Sequence, residues 1–456
     1  MKTAMDAIWR HVVTGYDQAL AARNWGEPRF GAELKFPLVN SDGTAARLET
    51  VRALWQYLAE RGWQPVRDAL SDQVVGATRH GEQNDTVASC ETGYCKPEFS
   101  LAHVANLFDL AAAIDRLRDE LRPFAERHGV HFLGYGIQPV TSPSKRLLMK
   151  KTRTSVWDKV FGTTRRMPEG EGDGVSLFTV NAASHVHVSV LLSQAIGAVN
   201  VLNAFAGAQI ALTANSSVWG GRVDPRYKCV SEKLWDWWLP ELGRAGVPER
   251  PFGSLSDYVR TVASFKPVYV KRGGKPVVLS RHETFADYFR SDRPTGIDHQ
   301  GREVQLLPEP ADIDLHNTCY WFNARLTQHF TVENRTNDQQ PPDDLLCVAA
   351  LTAGLVAELG KALDVVSAYD WDDLRATRET ACRFGLAASN GGVDLVRLAG
   401  EMLDVAEGGL RKRGRGEEEF LAPLVRRLAE RRCPADDAAD LFGREGITAL
   451  VEARAI

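Results

Sequence analysis

"GAELKFPLVN" (31–40) sets a carboxylate and an ammonium two residues apart, Glu33 and Lys35, inside an otherwise apolar stretch of strand character. Side chains alternate along a strand, so these two share one face while Phe36 and Leu38 take the other. One reading is a surface ion pair on a half-exposed sheet, which is worth little. The other is the working face of an active site. The rest of the chain has to separate them.

Around this stretch, short strand-like runs alternate irregularly with longer helical ones. Strands are predicted over Arg29–Val39, Val74–Thr78, Thr86–Cys90, His131–Ile137, Ser176–Leu191, Pro267–Val270 and Arg325–Glu333. Helices are predicted over 5–22, 44–61, 101–128, 192–213 and 255–264. No steady βαβ repeat appears, which points to an α+β fold with an antiparallel or mixed sheet. No GxGxxG or GxxxxGK[ST] is present, so neither a dinucleotide fold nor a P-loop is indicated. "MPEGEGDG" (167–174) reads as a polar loop, either a lid or a hairpin connection. "QQPPDD" (339–344) breaks the chain and leads into a helix with Pro at its start and acids in its first turn. The division is therefore a sheet domain over 1–340 and a helical region over 341–456 packed on it. The charged run "RKRGRGEEEF" (411–420) reads as solvated surface.

Composition narrows the function classes. The 456 residues are 44% hydrophobic and 25% charged, with 59 acids against 55 bases. A near-balance of charge recruits neither nucleic acid nor anionic membrane, so small molecules are the expected partners. The seven cysteines form no CxxC or Cys/His cluster for zinc. Cys90 and Cys95 could form a redox switch, but idle buried thiols are favoured, which suits a reducing compartment. The first twenty residues read as an amphipathic helix, not a signal peptide, and no uncharged apolar run reaches the roughly 18–20 residues of a membrane span. The expected location is cytoplasmic.

Four further stretches put polar groups beside apolar anchors. "ASCETGYCKPEFS" (88–100) carries Glu91 and Glu98 around a tight loop. "NAASHVHVSV" (181–190) alternates strictly, with Asn181, His185, His187 and Ser189 on one face and valines on the other. "ALTANSSVWGGR" (211–222) carries Asn215 and Arg222, and "FTVENRTNDQQ" (330–340) places Glu333 and Arg335 together, with Asp338 beyond. Singly, each fits a satisfied core histidine or an ordinary ion pair. Together they describe several strands aiming carboxylates, imidazole and guanidinium into one cavity. Clustered carboxylates repel unless cations neutralise them. Oxygen-rich clusters suit Mg²⁺ or Mn²⁺, and those ions suit nucleotide phosphates.

In order and spacing these stretches resemble the glutamate–cysteine ligase family, in its plant and proteobacterial branch, and the related carboxylate–amine ligases. "GAELKFPLV" is similar to the family's G-x-E-x-E-x-F strand, and "ETGYCKPEFS" to its E-P-G-G-Q-x-E-L-S loop. "FLGYGIQP" (132–139) resembles F-L-G-x-G-x-Q-P, "LMKKTR" (148–153) resembles M-P-K-G-R, and "HVHVSV" resembles H-V-H-V-G. "DLHNTCYWFNARLTQHFTVENRTND" (314–338) follows the plant-type run to its closing E-x-R-x-x-D. The resemblance spans roughly 29–360. It implies a curved antiparallel funnel like the catalytic sheet of glutamine synthetase. It also implies ATP-dependent amide formation through an acyl phosphate, by default glutamate with cysteine to γ-glutamylcysteine, with ATP and Mg²⁺ or Mn²⁺ required. The alternatives are the same chemistry on a specialised amino acid or peptide, an amide hydrolase, or an inactive relative. Carried over, it implies Glu33, Lys35, Glu333 and Arg335 as catalytic and Glu33, Glu91, Glu98, His187 and Glu333 as metal ligands. Lys35, Arg335 and Asn215 fall to ATP, and Arg153, Arg222 and His185 to substrate.

Two departures stand out. Lys35 occupies the family's second glutamate position, which implies one metal fewer or a metal relocated, with a fixed charge supplied by the lysine. Glu91 and Glu98 are one residue further apart than in the family loop. An odd offset on a regular strand puts them on opposite faces, so their convergence would require a bulge near Pro97. The replaced Gly-Gly, here within "YCK", implies a changed pocket wall and a substrate that need not be glutamate with cysteine.

Overall fold

Pro37 ends the first strand. It has no N–H to give a neighbouring chain, and the stretch expected as one strand divides into β1 (Phe30–Lys35) and a short Leu38–Asn40, which pairs with Val130–Phe132 in a separate small sheet. The computed structural model describes residues 2–22, 27–82, 84–161, 174–238, 243–387, 389–390 and 392–456. In it, β1 lies inside an open eight-stranded sheet with β2 (Gln64–Arg67), β3 (Val74–Arg79), β4 (Thr86–Cys90), β5 (Pro97–Ser100), β6 (Ala183–Ser189), β7 (Ala324–Leu326) and β8 (Thr331–Asp338). The spatial order is β7-β8-β6-β1-β5-β4-β3-β2, and every neighbouring pair is antiparallel. The α+β class with an antiparallel sheet is as the sequence predicts.

Alternation gives the sheet two unlike faces. Phe30, Ala32, Leu34, Phe99, Val186, Val188 and Val332 are buried on one. Helices cover that face: α1 (Leu107–His128), the consecutive α2 (Ala195–Ala204) and α3 (Ala206–Thr213), and α4 (Cys347–Ala357). The 192–213 segment, expected as one helix, bends by 54° at Phe205. Among the described residues no single helix is long and apolar enough to cross a membrane. Beyond α4, α5 (Leu395–Arg413) crosses it where Gly354 and Gly409 let the backbones touch, since a Cβ at either would collide with the other helix's carbonyls.

Several local expectations shift. The prolines at 341 and 342 lie in a turn ahead of α4, which begins only at Cys347. The predicted Ser176–Leu191 strand is a 3₁₀ turn over Gly174–Thr179 followed by β6, and all of "MPEGEGDG" but its last glycine lies outside the described residues. Arg325–Glu333 is a hairpin, not one strand. The charged run at 411–420 is not wholly solvated: Glu417 is buried, pairs with Arg413 at 2.6 Å and accepts from Leu107 N at 2.8 Å. That carboxylate satisfies a free N–H at the start of α1, where the helix dipole also favours negative charge. All seven cysteines are unpaired and buried, and burial pushes the Cys90 and Cys95 thiols up to about 12, so neither is a reactive thiolate at neutral pH.

Candidate active site

Strand register assembles the site. Residues directly opposite in an antiparallel pair bring their side chains within about 5 Å on one face. Glu33 lies opposite His185 on one side and Ser100 on the other, and Lys35 lies opposite Glu98. His187 lies opposite both Gly31 and Glu333, and Glu333 lies opposite Arg325. Between Asn334 and Asn337 the β8 register slips. Such a bulge re-aims side chains, and Arg335, Thr336 and Asn337 all line the same cavity.

Glu333 is 1% exposed and sits between two guanidiniums, Arg325 Nε at 2.5 Å and Arg335 Nη1. Burial alone would raise its carboxyl; the two arginines outweigh that and hold it well below the usual carboxylate range. Glu33 Oε1 accepts from His187 Nε2 at 3.1 Å, and His187 Nδ1 meets Thr331 Oγ1 at 3.2 Å. Burial opposes charge on Glu33 as well, but both histidines and Lys35 keep its carboxyl low. One ligand atom each from Glu33, His187 and Glu333 falls within 4.8 Å of the other two. Two carboxylates and an imidazole form a donor set that fits Mg²⁺ or Mn²⁺.

The other acids gather around Lys35, which is 2% exposed. Its Nζ donates to His185 Nδ1 at 2.8 Å and lies 3.3 Å from Glu98, 3.6 Å from Glu33 and 3.7 Å from Glu91. Lys96, also buried, reaches Glu91 at 3.2 Å and Asn181 Oδ1 at 2.9 Å. No strand bulge is needed to join Glu91 and Glu98. β4 ends at Cys90, Glu91 opens the loop to β5, and that loop turns it back to the face of Glu98. His185, hemmed in by burial and by the cations Lys35 and Arg335, is pushed down to about 3 and stays neutral. Burial, with help from Glu91 and Glu33 and against Lys35, pushes Glu98 up to about 7.

Two cavities flank this row. One of about 240 Å³ is bordered by Lys35, Glu98, Arg153, Arg335 and an aromatic wall of Trp157, Trp235 and Trp321. The other, of about 670 Å³, is bordered by Gly31, Ser100, His187, Ser189 and Thr331. Glu33 borders both. Arg153 stacks over Trp157 and donates to Thr318 O, and it has no carboxylate partner among the described residues. Asn215 and Arg222 line neither cavity. Asn215 is buried and donates to Gly134 O and Gln339 O, joining two loops. Arg222 is exposed on a two-residue strand. Sequence reasoning missed Arg325, Lys96 and the three tryptophans. Arg325 had a signal, since it and Glu333 lie eight apart around a tight turn within "ARLTQHFTVE".

A 201-residue stretch, 43% of the chain, is 32% identical to a Rubrobacter xylanophilus protein named as a glutamate–cysteine ligase 2, a match spanning 51% of that relative. The chloroplastic glutamate–cysteine ligase of Medicago truncatula is 24% identical over 87% of this chain and 74% of its own. Among solved structures, the glutamate–cysteine ligase of Francisella tularensis in complex with AMP superposes with a TM-score of 0.57 at 12% identity, covering 94% of this chain and 87% of that one. A bifunctional glutathione synthetase from Pasteurella multocida gives 0.50 at 10% identity, over 96% of this chain and 52% of that one. At such identities the structural likeness is one of fold. The sequence model of glutamate-cysteine ligase family 2 matches residues 55–453, beginning after the strand of Glu33 and Lys35. With most of its length matched, the chain belongs to glutamate-cysteine ligase family 2 and is an ATP-dependent ligase.

Proposed function

We propose that this ligase activates a substrate carboxylate as an acyl phosphate and joins it to an amine, by default L-glutamate and L-cysteine to give γ-glutamylcysteine. The observation that carries the reading is the Glu33–His187–Glu333 group on the row between the two cavities. A cavity of about 670 Å³ suits a nucleotide, while one of about 240 Å³ edged by Arg153, Arg335 and Lys35 suits an amino acid with a carboxylate to clamp. A divalent cation held by Glu33, His187 and Glu333 would neutralise charge on the nucleotide phosphates.

The chain's own groups then do the positioning. Arg335, held by its bond to Glu333, borders the smaller cavity, and Arg153 offers a second guanidinium there. An oxygen of the substrate carboxylate attacks the γ-phosphorus of ATP, the bond to the bridging oxygen breaks, and ADP departs. The amine nitrogen then attacks the acyl carbon, and inorganic phosphate leaves with the bonding pair. Glu98, lifted to about 7, takes the proton released from nitrogen. In this reading residues 341–456 form a helical buttress behind the sheet, and the protein acts in the cytoplasm on small amino-acid substrates.

A second reading keeps the chemistry and changes the acceptor. Trp157, Trp235 and Trp321 pack ring to ring at 5.4 and 5.6 Å beside Arg153. That wall favours an acceptor with an apolar or aromatic body over cysteine. ADP release with Mg²⁺-ATP and L-glutamate, with and without a panel of amines, tests both, with products weighed by mass spectrometry. A product lighter than its two substrates by one water, formed with cysteine, establishes the default. ADP release confined to a bulkier amine establishes the second. Release independent of every acid and amine refutes both.

A further inference from the structure

The acidic groups on this face divide into two sets that share Glu33. Oε1 of Glu33 turns to His187 and the Glu333 side, while Oε2 turns to Lys35. Around Lys35 Nζ the acceptors are His185 Nδ1 at 2.8 Å, Glu98 Oε2 at 3.3 Å, Glu33 Oε2 at 3.6 Å and Glu91 Oε1 at 3.7 Å. Four acceptors from three strands and a loop converge on one ammonium that carries three protons.

We propose that the Lys35 ammonium is a built-in cation: it fills a carboxylate cage that would otherwise take a divalent ion, so the protein holds one such ion, at Glu33–His187–Glu333, and none at the cage. The inference rests on the ligase reading for the first of these positions only. Three observations support it. Lys35 is fixed opposite Glu98 by the β1–β5 register and is almost fully buried. Three of its four acceptors are the hard carboxylate oxygens that Mg²⁺ and Mn²⁺ prefer. Lys96 adds a second ammonium on the outer oxygen of Glu91, so the cage already holds two positive charges against three carboxylates without metal.

The consequence is a gain of binding on removing a cation. In Lys35→Ala, Glu33, Glu91 and Glu98 face one another around a space the size of the lost ammonium, and such a group binds a divalent ion to relieve its repulsion. Equilibrium Mn²⁺ titration, with free ion counted by electron paramagnetic resonance, reads this without turnover. The expected result is one Mn²⁺ per chain in the wild type and two in Lys35→Ala. The double variant Lys35→Ala/Glu333→Gln should fall back to one, now at the cage. Equal counts in wild type and Lys35→Ala overturn the proposal. A wild type that binds none, with Lys35→Ala binding one, upholds the lysine-filled cage and overturns the single ion at Glu33–His187–Glu333. Should Lys35→Ala not fold, Glu98→Gln decides: the count stays at one if Lys35 fills the cage and drops from two to one if a metal does.

Discussion

Replacing Glu333 by glutamine keeps the shape of the side chain and removes its charge, leaving Arg325 and Arg335 buried without their shared carboxylate. Each guanidinium–carboxylate contact is worth about 4 kcal/mol at an effective dielectric near 20. Glutamine keeps one carbonyl acceptor for one of the two arginines, and Glu33 no longer repels a neighbouring charge. The expected loss is therefore about 3 kcal/mol, at the lower end of what breaking a buried pair costs. With an unfolding entropy of about 2.1 cal/mol/K per residue over 456 residues, that lowers the melting temperature by about 3 °C. The effect on function should be far larger, because the same carboxylate belongs to the proposed cation group. Mg²⁺-dependent ADP release should fall by at least about a hundredfold, with Mn²⁺ affinity falling alongside. Calorimetry, Mn²⁺ titration and ADP release on one preparation separate the two roles. A lowered melting temperature with unchanged turnover makes Glu333 a structural counter-ion and refutes the site as drawn.

His316 is buried, stacks on Phe285 at 4.0 Å and donates to Val262 O, and burial pushes it down to about 3. The unfolded chain takes up a proton there below about 6.5 while the folded chain does not, so stability falls with pH by about 1.4 kcal/mol per unit in that window. His316→Phe should flatten the fall between pH 6 and pH 4 by that amount in urea midpoints, and parallel curves would count against it. Arg153→Ala should raise the KM for the acid substrate at least about tenfold with little change in nucleotide binding, and Arg153→Lys should not restore it, because an ammonium cannot pair in two-pronged fashion. An unchanged KM removes Arg153 from the substrate. Gly354→Ala forces α4 away from α5 and should cost about 1–3 kcal/mol, while ADP release per folded molecule at 20 °C stays constant; a loss of turnover without loss of stability would refute the buttress role of these helices.

Much of the face was legible because alternation is a local rule. Glu33 with Lys35, and His185 with His187, can be put on common faces from spacing alone, and the structure keeps each pair together. Which strands lie side by side is a long-range fact. Nothing local says that 324–338 pairs with 183–189, or that Arg325 ends beside Glu333 and Arg335. Asn215 shows the converse limit. A polar residue in a loop between a helix and a strand reads the same whether it faces a ligand or ties Gly134 to Gln339. Glu417 is a third case, since a carboxylate in a charged run looks solvated until the start of α1 arrives beside it.

The opening pair can now be read through these long-range contacts. A surface ion pair would leave Lys35 free to leave Glu33 for water, and its net contribution would be small. Here the ammonium is enclosed, and Glu33 is only one of four acceptors around it. Lys96 belongs to the same network through Glu91. A structural account alone leaves this arrangement unexplained, because an apolar core of the same volume would avoid burying two ammonium groups among three half-buried carboxylates. What the arrangement does supply is an enclosed positive centre next to a carboxylate pair and an imidazole suited to a divalent ion, at the border of a cavity edged by three arginines. Phosphoryl transfer to a carboxylate brings several negative oxygens together at once, and fixed charges that need no reorganisation stabilise that encounter best. On the proposed ligase reading the strand's polar side is the working face, and Lys35 supplies the fixed positive charge that meets those oxygens.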